Sequence, residues 1–274
     1  MISSKSNQKI KEIRLLKQAK HRERQGAYFI EGIRLVEEAV RGNENILALV
    51  YSPRLEETAR GTNLLSVARK NRTDLEWIYI SDEVMASLSD TQNHQGILAV
   101  LKKRDHSWKE IERREGLILC FHNLQDPGNL GAVFRTADAG GGAGIILSVG
   151  SIDPYSPKVI RASMGSFFRV PFLSGLEFGD CIKNLRARGL KILATDPRAQ
   201  KSFWAVDLTQ PTAILFGQEG AGLPEELLEK ADDLLTIPMT PPIESLNVAM
   251  AAGLIVYEAF RQKRGSEGKN TGRS

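Results

Sequence analysis

The chain is poor in the residues that build covalent or metal-held scaffolds. Its 274 residues include two cysteines, Cys120 and Cys181, and four histidines. Two thiols in apolar surroundings exclude a disulfide framework and read as small core residues of a reducing compartment. His21, His94, His106 and His122 are scattered, with no pair at metal-ligand spacing, so no metal is expected. Long hydrophobic runs are also missing. The longest near-apolar stretch, 249–260, falls far short of the roughly 20 residues that span a bilayer. The N-terminus has no apolar signal segment, and its Lys-rich start runs on into a helical pattern, unlike a transit peptide. A cytoplasmic protein with no membrane partner is the expectation.

What is present is an ordinary globular composition, 42% apolar and 26% charged, with an uneven placement of charge. Residues 1–26 hold eight Lys and Arg against two Glu, a net of +6. Residues 261–274 carry +4, which leaves −6 for the body between. Basic ends on an acidic body suit a polyanionic partner, although two solvated tails would look the same.

Helix and strand patterns alternate, which argues an α/β protein. Helical spacing is read at 9–20, 32–40 and 55–70, and strands at 46–51, 75–80 and 96–101. Ser81 is placed to cap a short helix through Leu88. These elements define a small α/β domain over 1–104. Residues 105–115 are dense in charge and read as a linker. Beyond it the strands become continuous apolar runs at 117–121, 144–149, 191–194 and 213–216, suited to a parallel sheet buried on both faces. Helices are expected between them at 130–139, 179–188, 224–231 and 245–261. This second domain spans 116–264, and a basic tail at 265–274 is expected to be disordered.

Three segments carry chemistry. In 123–144, NLQDPGNLGAVFRTADAGGGAG, Pro127-Gly128 suits the centre of a type II turn and Asn129 suits an N-cap. Arg135 lies off the apolar stripe, four residues after Gly131. That leaves room for a ligand beyond the carboxyl end of a strand, where open parallel sheets bind. The dinucleotide pattern G-x-G-x-x-G is not met. In 214–223, ILFGQEGAGL, a buried strand enters a Gly-rich loop with one acid, Glu219. The absent Lys-Ser/Thr excludes a P-loop, and the acid suits a cation, a hydroxyl or Arg135. Pro224 is placed to open a helix. In 235–260 a short strand and a proline-stiffened loop lead to a helix capped by Ser245 or Asn247.

Taken in order, N-x-G-x-x-x-R-T-A (Asn129 to Ala137), G-x-E-x-x-G-L (Gly217 to Leu223) and I-P-M…S-L-N-V-A (Ile237 to Ala249) resemble the signature of the SpoU family. These are RNA ribose 2′-O-methyltransferases of the SPOUT superfamily, and the chain is similar to the thiostrepton-resistance type of rRNA methyltransferase. Residues 1–101, including TQNHQGILAV at 91–100, resemble the family's small L30e-like substrate-binding domain. The resemblance implies a deep trefoil knot in the second domain, an exception among folds. It implies S-adenosylmethionine bound at Thr195, Gly217, Ile237 and Leu246, and a homodimer formed through the knotted domain. It implies RNA as substrate, with the added N-terminal domain favouring rRNA over tRNA.

The same resemblance assigns catalysis to Arg135, with Asn129, Glu219, Ser245 and Asn247 orienting it, the ribose and the methionine tail. A 2′-hydroxyl must lose its proton at or before attack. A guanidinium is a base only in an unusual environment. It serves equally as a clamp on phosphate and developing alkoxide. Two other classes remain to be weighed: a non-catalytic RNA-binding protein on the same fold, and a nucleotide-dependent dehydrogenase. The intact motif residues argue against the first, and the failed dinucleotide pattern against the second.

Overall fold

The computed structural model describes residues 1–72, 75–91 and 93–270, with side chains described as far as Gly265. Within the 91–100 motif, Gln92 lies outside the described residues, as do 271–274 of the expected disordered tail. The chain divides into two compact units. The first is Met1–Asp105 with Asp153–Phe168, and the second is His106–Ile152 with Arg169–Ser274.

The first unit runs α1 (Gln8–Leu15), α2 (Ala19–Gln25), β1 (Ala27–Glu31), α3 (Ile33–Arg41), β2 (Ile46–Tyr51), α4 (Pro53–Glu56), α5 (Ala59–Asn71), β3 (Glu76–Tyr79), α6 (Asp82–Leu88) and β4 (Ile97–Lys102). Its sheet has the order β1-β4-β2-β3, with β2 and β3 parallel and the other pairs antiparallel. Alternate strand residues Phe29, Ala48, Val50, Ile78, Leu98 and Val100 pack on Ile10, Ile13 and Leu16 of the N-terminal segment and on Val84, Met85 and Leu88 of α6. The basic N-terminus is therefore one wall of a core, not a solvated tail. Ser81 caps α6 by accepting from Val84 N–H at 3.4 Å, as its position suggests.

The second unit begins with α7 (Trp108–Glu112) and continues through β5 (Ile118–Phe121), α8 (Pro127–Ala139) and β6 (Gly144–Ser148). α9 (Pro157–Ala162) then lies in the first unit. The second unit resumes with β7 (Phe172–Leu176), α10 (Phe178–Ala187), β8 (Lys191–Thr195), β9 (Thr212–Phe216), α11 (Glu225–Leu228), β10 (Asp233–Leu235) and α12 (Val248–Asn270). Its six strands lie in the order β10-β8-β9-β5-β6-β7, every pair parallel. The continuous apolar runs are the central strands, and β5, β6 and β9 are buried along their whole length. The order reverses between β5 and β9, where Phe121 and Phe216 stack at 4.9 Å.

Three boundaries differ from the sequence reading. Residues 106–115, read as a linker, belong to the second unit, because Ile111 is wholly buried in its core against the sheet. Residues 153–168, read within 116–264, belong to the first unit. Tyr155 and Phe167 pack on Tyr28 at 4.9 and 5.8 Å, and Tyr155 O–H donates to the Arg104 carbonyl at 2.7 Å. The buried Arg22 guanidinium also donates to Asp153 Oδ2, at 2.8 Å from Nε. The tail at 265–274, read as disordered, continues α12 as far as Asn270. None of these long-range pairings leaves a local pattern.

Candidate active site

The carboxyl ends of the parallel strands surround a cavity of about 680 Å³ in the second unit. Open α/β sheets bind ligands at this edge, where the strand order reverses. Its walls come from the loops after β8, β9 and β10, the start of α8 and the entry to α12. Eight of the nine residues expected at the site line it: Asn129, Thr195, Gly217, Glu219, Ile237, Ser245, Leu246 and Asn247.

A hydrogen-bonded chain ties the three motif segments together. Asn129 Nδ2 donates to Glu219 Oε1, and Asn247 Nδ2 donates to Asn129 Oδ1 at 2.9 Å. Asn247 Oδ1 accepts from the N–H groups of Ala249 and Met250 at 3.0 and 3.2 Å. One side chain thus caps α12 and fixes Asn129. Of the two caps considered for α12, Asn247 fills the position. Ser245 lines the cavity with no hydrogen bond among the described residues. Glu219 meets Asn129 and not Arg135, one of the partners its charge suggested.

The first segment starts one turn earlier than its sequence suggests. Asp126, not Asn129, is the N-cap of α8 and accepts from Asn129 N–H at 2.8 Å. Pro127 and Gly128 are then the first helical turn and not a type II turn, because Pro suits the first helical position where its missing N–H costs nothing. Asn129 faces the cavity from inside the helix. Pro224 shows the reverse shift, standing as the N-cap of α11 instead of its first residue.

Arg135 is the expected residue that the cavity lining does not include. It stands exposed on α8, two turns beyond the helix start, its side chain making no hydrogen bond or ion pair among the described residues. Gly131, expected to open space beneath it, is buried.

The loop after β9 closes on itself. Gln218 and Gly222 exchange backbone hydrogen bonds of 3.0 and 2.8 Å. A Cβ at Gly217 would lie 2.1 Å from the carbonyl carbon of Gly222, so only glycine fits. Sequence reasoning missed Asp196, which also lines the cavity. Its carboxylate accepts from Arg198 Nη2 at 2.7 Å, and the Arg198 side chain holds its pKa below the usual range. Asp-Pro-Arg after an apolar run was the available signal. Thr195, which lines the cavity, donates through Oγ1 to the Leu215 carbonyl at 3.1 Å. Among the described residues no three His, Cys, Asp or Glu gather as metal ligands, and no helix is long and apolar enough to cross a membrane.

A parallel sheet with a cavity of about 680 Å³ at its carboxyl edge, lined by all three motif segments and without a phosphate loop, is built to hold a small organic ligand. Comparison with known proteins makes it specific. Residues 116–257 match the model of the SpoU rRNA Methylase family, and residues 7–99 match an MRM3-like substrate binding domain. An uncharacterized tRNA/rRNA methyltransferase of Synechocystis sp. is 36% identical, covering 96% of this chain and 94% of that one. A 23S rRNA (guanosine-2′-O)-methyltransferase of Bacillus subtilis is 31% identical, covering 93% and 97%. The SpoU methyltransferase AviRb of Streptomyces viridochromogenes, solved with its cofactor AdoMet, superposes with a TM-score of 0.86 at 29% identity, covering 94% and 98%. The chain belongs to the SpoU family of S-adenosylmethionine-dependent RNA ribose 2′-O-methyltransferases.

Proposed function

We propose that this cavity holds S-adenosylmethionine and that the second unit methylates a ribose 2′-hydroxyl of ribosomal RNA, 23S-type rRNA in preference to tRNA. The observation that carries the reading is the Asn247–Asn129–Glu219 chain, which joins all three motif segments at the cavity. The residues present fit the cofactor. The volume lies within the range of small-molecule sites. Leu235, Ile237, Leu246 and Val248 give apolar walls for a purine. Gly217 lets backbone come close where a side chain would intrude. Thr195, Gly217, Ile237 and Leu246 would meet adenine and ribose. When bound, S-adenosylmethionine supplies a methyl group on a sulfonium.

The chain's own residues handle the acceptor. Arg135 is exposed and its side chain has no partner among the described residues, so its planar fork can span an RNA phosphate and the developing alkoxide. Asn129, Glu219, Ser245 and Asn247 orient the groups that meet there. Water exclusion favours the collapse of opposite charges into neutral products. Arg135 lies outside its own cavity lining, which supports a homodimer in which the second units pair. Met250, Leu254 and Tyr257 form an exposed apolar stripe along α12 at spacings of four and three residues, and a second copy is the occupant we assign to it. The same reading takes the chain after β9 as a deep trefoil knot, the first unit as an L30e-like rRNA-binding domain, and the cytoplasm as the site of action.

The test is Arg135→Ala. Cofactor affinity should be unchanged, while methyl transfer falls roughly 10²–10⁴-fold, the range for losing a positioned acid–base group. Arg135→Lys should not rescue it, since a point charge lacks the fork. A base role predicts a rate that rises with pH to a plateau absent from Arg135→Ala. A clamp predicts parallel pH profiles. Full activity in Arg135→Ala would overturn the assignment.

A further inference from the structure

Outside the motif triad, the ends of three strands meet at Asn123. Its backbone N–H donates to Ser148 Oγ, at the end of β6, at 2.8 Å. Its Nδ2 donates to Gln218 Oε1, in the loop after β9, at 2.9 Å. Its Oδ1 accepts from Gln125 Nε2 at 2.6 Å, and that amide also donates to the Gly150 carbonyl. The backbone at Asn123 is left-handed, with φ +53°, a conformation that asparagine adopts more readily than most residues. Gly150 faces it so closely that a Cβ there would lie 3.0 Å from Asn123 Oδ1.

Both ends of this carboxamide are therefore engaged by other loop residues. Asn123 does not line the cavity, whereas Gln218 does. Gln218 is also the residue whose backbone closes the turn with Gly222, and Glu219 follows it directly. Glu219, in the loop after β9, must reach Asn129, in the first turn of α8 after β5. Glycines occupy three of the six positions 217–222, so backbone preference alone does not set where that turn sits. The bond from Asn123 gives it a side-chain tether to the neighbouring strand end.

We propose that Asn123 is a positioning residue for methyl transfer: its carboxamide holds Gln218 and thereby sets the 217–222 turn in the geometry that binds the cofactor. The inference rests on the reading of the cavity as the S-adenosylmethionine site. Asn123→Gly tests it, because glycine keeps the left-handed backbone and removes only the carboxamide.

The readouts are S-adenosylmethionine titration by calorimetry and hydrogen exchange of the full chain. Asn123→Gly and Gln218→Ala should each raise the Kd about three- to tenfold, the worth of one hydrogen bond. Binding stoichiometry should be unchanged, and amides of 218–222 should exchange faster while those of 118–121 do not. The double variant should bind no more than about twofold worse than either single, because both remove the same bond. A merely structural role would lower the stoichiometry and leave Kd alone; that result overturns the proposal. Unchanged Kd in both singles, or fully multiplicative effects, overturn it too. Ala251→Trp, which fills the cavity, is the control. If Kd is unchanged there, the cavity reading falls and takes this role with it. If Kd rises there but not in Asn123→Gly, only the role of Asn123 falls.

Discussion

Gly217 is the residue at which sequence and site geometry are most tightly bound together. Its missing Cβ would collide with the backbone of Gly222 and Leu223, and backbone gives way less readily than a side chain. Gly217→Ala should therefore destabilise the second unit by about 1–3 kcal/mol and weaken S-adenosylmethionine binding more than tenfold. Thermal unfolding with and without cofactor checks both; a cofactor-dependent shift equal to wild type would contradict it. Asp196 supplies a pH test. Its pKa is lowered first by the side-chain hydrogen bond from Arg198. A carboxylate lowered on folding contributes stability above its unfolded value, about 3.9, and loses it as pH falls through the lower folded value. Wild type should thus be more stable than Asp196→Asn near neutrality, with the difference shrinking below about pH 4. A constant difference across that window would show that the ion pair is not its source. At this scale the sequence was informative about identity and less so about placement. Asn129, Glu219 and Asn247 were recognisable, but Asp126 took the cap expected of Asn129, because Pro127 prefers the position just inside it.

Elements were legible where burial imposed a pattern and obscure where it did not. The central strands β5, β6 and β9 read as unbroken apolar runs because both faces are covered. The edge strand β7 left no such run, since Ser174 and Gly175 are exposed within it. α9 was hidden for another reason: it packs on β1, which lies far away in sequence. The N-terminal helices illustrate how charge misleads. α1 looks like a solvated basic arm, yet Ile10, Ile13 and Leu16 are buried and Arg22 is almost wholly enclosed. Lys9 pairs with Glu76 and Lys17 with Asp90, so part of the basic charge is already neutralised. Deleting 1–24 would remove core along with charge. Lys11 and Lys20 are exposed and without an ion pair among the described residues. Lys11→Glu and Lys20→Glu should leave unfolding unchanged, weaken rRNA binding, and flatten the log–log salt dependence by about 0.7–0.9 for each phosphate no longer neutralised. An unaltered slope would return those lysines to solvent-facing status.

At the scale of the whole molecule, the proposed function brings two copies together. Met250 at 60% exposure, Leu254 at 40% and Tyr257 at 52% form the apolar face of α12 to which the proposal assigns a second copy. If the proposed dimer forms through this face, Leu254→Asp should give a monomer in light scattering at micromolar concentration where wild type gives a dimer, and depress methyl transfer with it. A monomeric wild type of full activity would remove the partner from the mechanism. Domain organisation was only half visible in the sequence, since the composition change near 102–115 marked the passage between units but gave no sign of the return at Asp153–Phe168. This chain places a methyl group on a ribose oxygen, and that product can be read chemically. The most direct measurement is alkaline hydrolysis of ribosomal RNA from cells lacking the enzyme, after incubation with the purified protein and labelled S-adenosylmethionine. A 2′-O-methyl group blocks cleavage at its own 3′ phosphate, so one gap should appear in the ladder, coincident with the label and absent with Arg135→Ala. Label incorporated into a ladder without a gap would mean a methylated base, and would contradict the account.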